Sequence, residues 1–176
     1  EREGRLDEAR DALADAVKLT ASDADAWNRL GLIEARRGDV DAARRAFAQA
    51  IGVAPDRPEP YYNLGLVERR AGNETAAQVR LHEALARNPR YAEAHYELGT
   101  GFLLARQPDR ALESYRAALS IRPDYAEALF GAARAELDLG QSAAARRDYE
   151  QFVKVAPKEY RQQIAAAQAA IKSLRN

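Results

Sequence analysis

An all-α fold, a solenoid of stacked antiparallel helix pairs, is what this sequence predicts, and three observations predict it. The 176-residue chain repeats with a 34-residue period: glycines stand at Gly4, Gly38, Gly72 and Gly140, with Arg106 in the one other slot. Each period holds two stretches of apolar residues at helical spacing, and strand-like alternation occurs nowhere. Small and large residues then recur in fixed columns. Five residues after each turn position comes Ala9, Ala43, Ala77, Ala111 or Ala145, and four further on Leu13, Phe47, Leu81, Tyr115 or Tyr149. Ala16, Ala50, Ala84 and Ala118 follow, with Phe152 as the exception. Alanines in those columns let paired helices approach closely, and the larger residues fill the space between units. Neither helix of a pair can bury its stripe alone, so stability has to come from stacking on neighbours.

The elements follow in order. Residues 5–20 read as a single second-type helix, with Leu6, Leu13 and Val17 on its apolar face, which lacks part of its cover at the front of the array. In Ala24 to Arg37, Trp27, Leu30 and Ile33 recur at three-residue steps, and Leu32 broadens the stripe. Gly38 supplies a positive φ to end that helix, and Asp39 is placed to cap the next. Ala43, Phe47, Ala50 and Ile51 form the inward stripe of the second helix, which Pro55 terminates. Pro89, Pro123 and Pro157 close the later periods in the same way. At Arg106 the turn lacks its glycine. Either the arginine takes a positive φ or the turn differs from its siblings, while Pro108 can start the following helix without losing a needed donor. After Pro157, Tyr160, Ile164, Ala167, Ile171 and Leu174 lie on one face of a last helix, opposite Gln, Lys and Arg. That is the pattern of a terminal helix covering the end of a solenoid.

Trp27, Leu30, Gly31, Ala43, Phe47, Ala50 and Pro55 together resemble the tetratricopeptide repeat, and Tyr91-Ala92-Glu93-Ala94 and Tyr125-Ala126-Glu127-Ala128 resemble that family's entry into a first helix. The resemblance implies a right-handed superhelical solenoid with full repeats at 24–57, 58–91, 92–125 and 126–159. Residues 1–23 match the second half of a repeat plus a linker, and 160–176 form the capping helix. The absent initiator methionine and the half repeat predict that this is a piece of a longer chain. Two departures occur near the end: Ala132 and Ala133 replace the Leu-Gly pair, and Phe152 replaces the close-contact alanine.

Composition narrows the function. Lys plus Arg and Asp plus Glu number 27 each, so net charge is zero, which argues against affinity derived mainly from phosphates. The arginine pairs Arg36-Arg37, Arg44-Arg45, Arg69-Arg70 and Arg146-Arg147 have acids nearby and read as solvated helix faces. A local basic strip for RNA is the weaker alternative, which a steep salt dependence would expose. There is no cysteine, hence no thiolate nucleophile or cysteine-ligated zinc. His82 and His95 are 13 residues apart without further ligand spacing, so no metal is expected. No phosphate-binding glycine loop, dinucleotide fingerprint or nucleophile elbow is present, so the sequence predicts neither cofactor nor enzyme activity. Arginine outnumbers lysine 23 to 4, which reads as a GC-rich genome. Composition fits a soluble fragment of bacterial cytoplasm or periplasm and does not choose between them.

The resemblance implies protein–protein interaction through a concave groove. In this family the inner face is lined by the second, fifth, ninth, twelfth and thirteenth residues of each first helix. Carried over, these are Asp25, Asn28, Leu32, Ala35 and Arg36 in the first full repeat, and Glu59, Tyr62, Leu66, Arg69 and Arg70 in the second. The third gives Glu93, Tyr96, Thr100, Leu103 and Leu104, and the fourth Glu127, Phe130, Arg134, Leu137 and Asp138. The candidate partner-binding residues are Asn28, Leu32, Arg36, Tyr62, Leu66, Arg69, Arg70, Tyr96, Thr100, Leu103, Phe130 and Arg134. The column Asn28, Tyr62, Tyr96, Phe130 is mostly aromatic, which suits interface anchors, and packing against the next helix is the competing reading. The acidic column Asp25, Glu59, Glu93, Glu127 favours the helix dipole and reads as structural. Neither the family's carboxylate clamp nor its asparagine ladder has its residues here. The expected partner is a protein or peptide segment with apolar anchors and some acidic residues. The alternative is an accessory arm of a larger enzyme or membrane-anchored protein. Self-association through the uncovered N-terminal end is a further expectation.

Overall fold

A computed structural model describes residues 2–174; residues 1, 175 and 176, which the expected end segments include, lie outside the described residues. The described residues form ten α-helices and no strand: α1 (Arg2–Leu19), α2 (Ala24–Arg37), α3 (Val40–Val53), α4 (Pro58–Arg70), α5 (Glu74–Arg87), α6 (Ala92–Leu104), α7 (Pro108–Ile121), α8 (Ala126–Asp138), α9 (Ser142–Val155) and α10 (Arg161–Ser173). They group into two compact units, divided between Pro89 and Arg90. In the first, α2 packs on α3 and α4 on α5, with α1 against α2 and α3 against α4. In the second, α6 packs on α7, α7 on α8, α8 on α9, and α10 covers α9. Each unit is therefore a run of stacked antiparallel helix pairs, the predicted fold class.

The turn columns explain the helix ends. Gly38, Gly72 and Gly140 adopt φ of 84°, 82° and 73°, and Arg106 takes the same left-handed geometry at 58°. At the front, α1 begins at Arg2, so Gly4 lies inside a helix rather than at a turn. Asp39 caps α3 by accepting a hydrogen bond from the Ala42 amide at 2.9 Å, and Asp23 caps α2 through Ala26 in the same way.

From Ala43 onward the alanine columns are completely buried. Ala43, Ala50, Ala77, Ala84, Ala111 and Ala118 are all 0 % exposed, as are Phe47 and Leu81 between them. In the first unit one cluster joins Val17, Ala26, Leu30 and Ala46, with Leu13 and Trp27 against it; a second joins Ala43, Phe47, Leu64 and Val67. Val17, on the face expected to be poorly covered, is instead buried by α2 and α3, while Leu6 and Leu13 remain half-buried.

The aromatic residue one turn into the first helix also fastens the preceding linker. Trp27 Nε1–H donates to the Ala21 carbonyl at 2.9 Å, and Tyr61 O–H donates to the Pro55 carbonyl at 3.1 Å. The two bonds are one period apart. Arg87 donates to the same Pro55 carbonyl at 2.7 Å and stacks on the Tyr61 ring at 3.8 Å.

One column departs from the solvated faces expected around the arginine pairs. Glu34, Glu68 and Glu136 stand one or two periods apart; Glu34 and Glu136 are 7 % and 1 % exposed. Each meets an arginine. Arg37 holds Glu34 at 2.7 Å, Arg44 of α3 holds both Glu68 oxygens at 2.8 and 2.7 Å, and Arg116 of α7 holds Glu136. In the remaining slot of the column Phe102 replaces the acid, and the Arg110 guanidinium stacks on its ring at 4.0 Å. Arginines, from the same helix at Glu34 and from the neighbouring helix at Glu68 and Glu136, thus pair the acids of a column that is buried or half-buried.

Candidate functional site

The candidate residues fall on the face that the first helices of each pair share: α2 and α4 in the first unit, α6 and α8 in the second. Each face carries a pocket. In the first unit Leu32, Arg36, Leu66 and Arg70 line a space of about 290 Å³ together with Ala35, Val40, Phe47, Asn63 and Val67. In the second, Tyr96, Thr100, Leu103, Phe130 and Arg134 line about 330 Å³. Three candidates stand apart from these pockets. Asn28 Oδ1 accepts from Asn63 Nδ2 at 3.0 Å, Tyr62 is half-buried, and Arg69 is committed to the Glu74 carboxylate at 3.0 and 3.1 Å.

The aromatic column is only half exposed. Tyr96 packs against Tyr115 and Tyr125 with ring centroids at 5.9 and 5.2 Å, and Phe130 against Tyr149 and Phe152 at 5.5 and 5.1 Å. These rings form pocket wall and core together, because a side chain on this face leans over the second helix beside it.

Several lining residues escape the sequence reading. Tyr115, on second helix α7, reaches the pocket because Gly99 and Gly131 flank its ring: a Cβ at either would meet it at 2.7 and 2.5 Å. Gly131 stands where the other repeats have Arg29, Asn63 and Glu97, and that contrast is the available signal. The Tyr115 hydroxyl donates to Thr100 Oγ1 at 3.3 Å, and burial pushes its pKa up to about 12. Val40 and Phe47 likewise enter the first pocket from α3.

The two pockets differ in charge. The first has Arg36 and Arg70 as its only charged residues. The second balances Arg106 and Arg134 with Glu127 and Asp138. Glu127 accepts a hydrogen bond from the Tyr160 hydroxyl, and this bond to a carboxylate raises the tyrosine pKa to about 12. The acidic column lies in first helical turns as expected: Asp25 pairs with Arg57 at 2.7 Å and Glu93 with Arg122 at 2.9 Å.

Among the described residues, no group of His, Cys, Asp and Glu is arranged to hold a metal ion, and no helix is long and apolar enough to cross a membrane.

No curated protein matches this chain. Among solved structures, it is similar to MamA (TM-score 0.78, 24% identity, over 91% of this chain and 94% of that one). It is also similar to YrrB, described as a tetratricopeptide-repeat protein with an unusual peptide-binding site (0.72, 20%, over 95% and 86%). A third is TTC0263, a thermophilic tetratricopeptide-repeat protein of Thermus thermophilus (0.71, 25%, over 97% and 92%). The tetratricopeptide-repeat family model matches residues 1–58, 36–79, 62–128 and 100–151. With the helix pairs, the alanine columns and the left-handed turns in place, the chain belongs to the tetratricopeptide-repeat family.

Proposed function

We infer that this chain is a protein-interaction module that holds a segment of its partner against the face lined by its first helices. Tetratricopeptide repeats generally serve protein–protein interaction. The observation that carries the reading here is convergence: nine of the twelve candidate residues line two pockets, one in each unit, each with apolar walls and exposed arginines. The repeats we assign are 24–57, 58–91, 92–125 and 126–159. Leu32 and Leu66 anchor the segment in the first unit, and Leu103 with Tyr96 and Phe130 in the second. The peptide-binding site for which YrrB is described supports the same use of the scaffold. Shallow contacts spread along a segment that must order on binding give affinities on the order of micromolar.

The test is capture of partners by the chain, compared with Leu66→Ser and Leu103→Ser. Both leucines are half-buried, so the variants should keep their helical circular dichroism and lose the partner. A partner held equally by both variants would place the interface on another face.

A further inference from the structure

In a chain with as many acids as bases, arginines without carboxylate partners stand out. Around the first pocket the acids are already taken. Arg37 holds Glu34 and Asp7, Arg44 holds Glu68 and Asp41, and Arg69 holds Glu74. Arg36 and Arg70 are left over. Among the described residues Arg36 makes no ion pair, and Arg70 donates only to the Ala35 carbonyl, at 3.2 Å. Both are exposed at the rim of the pocket, and they are one period apart at the thirteenth position of adjacent first helices α2 and α4. One period further along, the same position holds Leu104 and then Asp138, so the cationic pair belongs to the first unit alone.

The floor between them is aliphatic: Leu32, Val40, Leu66 and Val67. The one aromatic there, Phe47, is 0 % exposed and offers no face for a nucleic-acid base to stack on. We propose that this pocket takes an aliphatic side chain of an acidic partner segment, with an adjacent carboxylate of that segment lying between Arg36 and Arg70. This rests on the interaction reading above and adds to it the chemistry of the recognised motif. Guanidinium suits the role because it is weakly hydrated and meets a carboxylate through a planar pair of donors. The aliphatic side chain supplies burial and the carboxylate fixes register.

A displayed library of random 12-residue peptides, selected on the intact chain at low salt, tests this. Selected peptides should pair Leu, Ile or Val with Asp or Glu one or two positions away. A synthetic peptide of the recovered sequence should bind roughly fivefold more weakly when its acid is changed to the amide, as expected for a rim ion pair. That change leaves the protein untouched, so folding does not enter. Arg36→Gln with Arg70→Gln should weaken the acidic peptide to the same degree and remove its preference over the amide form. Peptides that lose binding in Leu66→Ser but ignore the acid-to-amide change would overturn this inference and leave the interaction reading standing. Recovered peptides that ignore both Leu66→Ser and Leu103→Ser would overturn both.

Discussion

Arg106 is the one non-glycine residue among those described with a positive φ, at 58°, in a slot where its siblings are glycine. Its Cβ meets the carbonyl crowding that glycine avoids, at a cost of roughly 1–2 kcal/mol, part of which a glycine would give back as unfolded-chain entropy. Arg106→Gly should therefore raise stability by about 1 kcal/mol, read as a higher urea midpoint at unchanged slope. Gly131 is the opposite case. A methyl there would meet the Tyr115 ring at 2.5 Å, and that tyrosine is 2 % exposed. Gly131→Ala should cost about 1–3 kcal/mol in thermal or urea unfolding, as overpacking does. Tyr96 is intermediate. Its two ring contacts predict that Tyr96→Ala costs about 2 kcal/mol of stability as well as any binding, so the half-buried leucines are the cleaner probes of the groove.

At the scale of the element, most of the helices were legible because a column of alanines cannot be explained any other way. The stretch 24–37 read as helical is α2, the cap at Asp39 is made, and the missing glycine at Arg106 is absorbed by the backbone rather than by a different turn. The candidate face came from the family resemblance, which names the positions of each first helix that line the inner side, and the repeat register carried those positions onto this chain. Which arginines remain unpaired was not legible. Arg44 finds Glu68 and Arg116 finds Glu136, 24 and 20 residues away, and only packing of adjacent helices decides such partnerships. Periodicity does set Gly131 apart from the turn column of Gly140, but it does not say that the missing side chain leaves room for the Tyr115 ring. The terminal helix α10 has a testable role at this scale. It buries Ala167 completely, half-buries Ile164 and Ile171, and is preceded by Tyr160 bound to Glu127. Ending the chain after Lys158 should lower the urea midpoint and raise light scattering, because the face of α9 loses its cover.

For the molecule as a whole, pH sensitivity is divided between two kinds of acid, one half-buried and one buried. Arg44 holds Glu68 below the ordinary value of 4.5, so its contribution is complete above 4.5 and is lost as pH falls through the folded value. Burial pushes Glu136 and Asp148 the other way, and they share one partner, Arg116. Arg147 adds a weaker attraction to both. Their contribution is complete below 4.5 for Glu136 and 3.8 for Asp148, and it fades as pH rises through the folded values. Stability should therefore hold or rise on mild acidification from neutral pH, then fall below the ordinary glutamate value. Glu136→Gln, which removes one of the two crowded charges, should raise the melting temperature by about 3 °C near neutral pH, with the gain vanishing in acid. The indole that fastens the first linker has a consequence of its own. Trp27 is the sole tryptophan, and its ring packs on the Val17–Leu30 cluster with its N–H fixed to Ala21. Light absorbed selectively by indole therefore interrogates the α1–α2–α3 junction and nothing beyond it, so a red shift of that emission marks the moment the front of the chain opens to water.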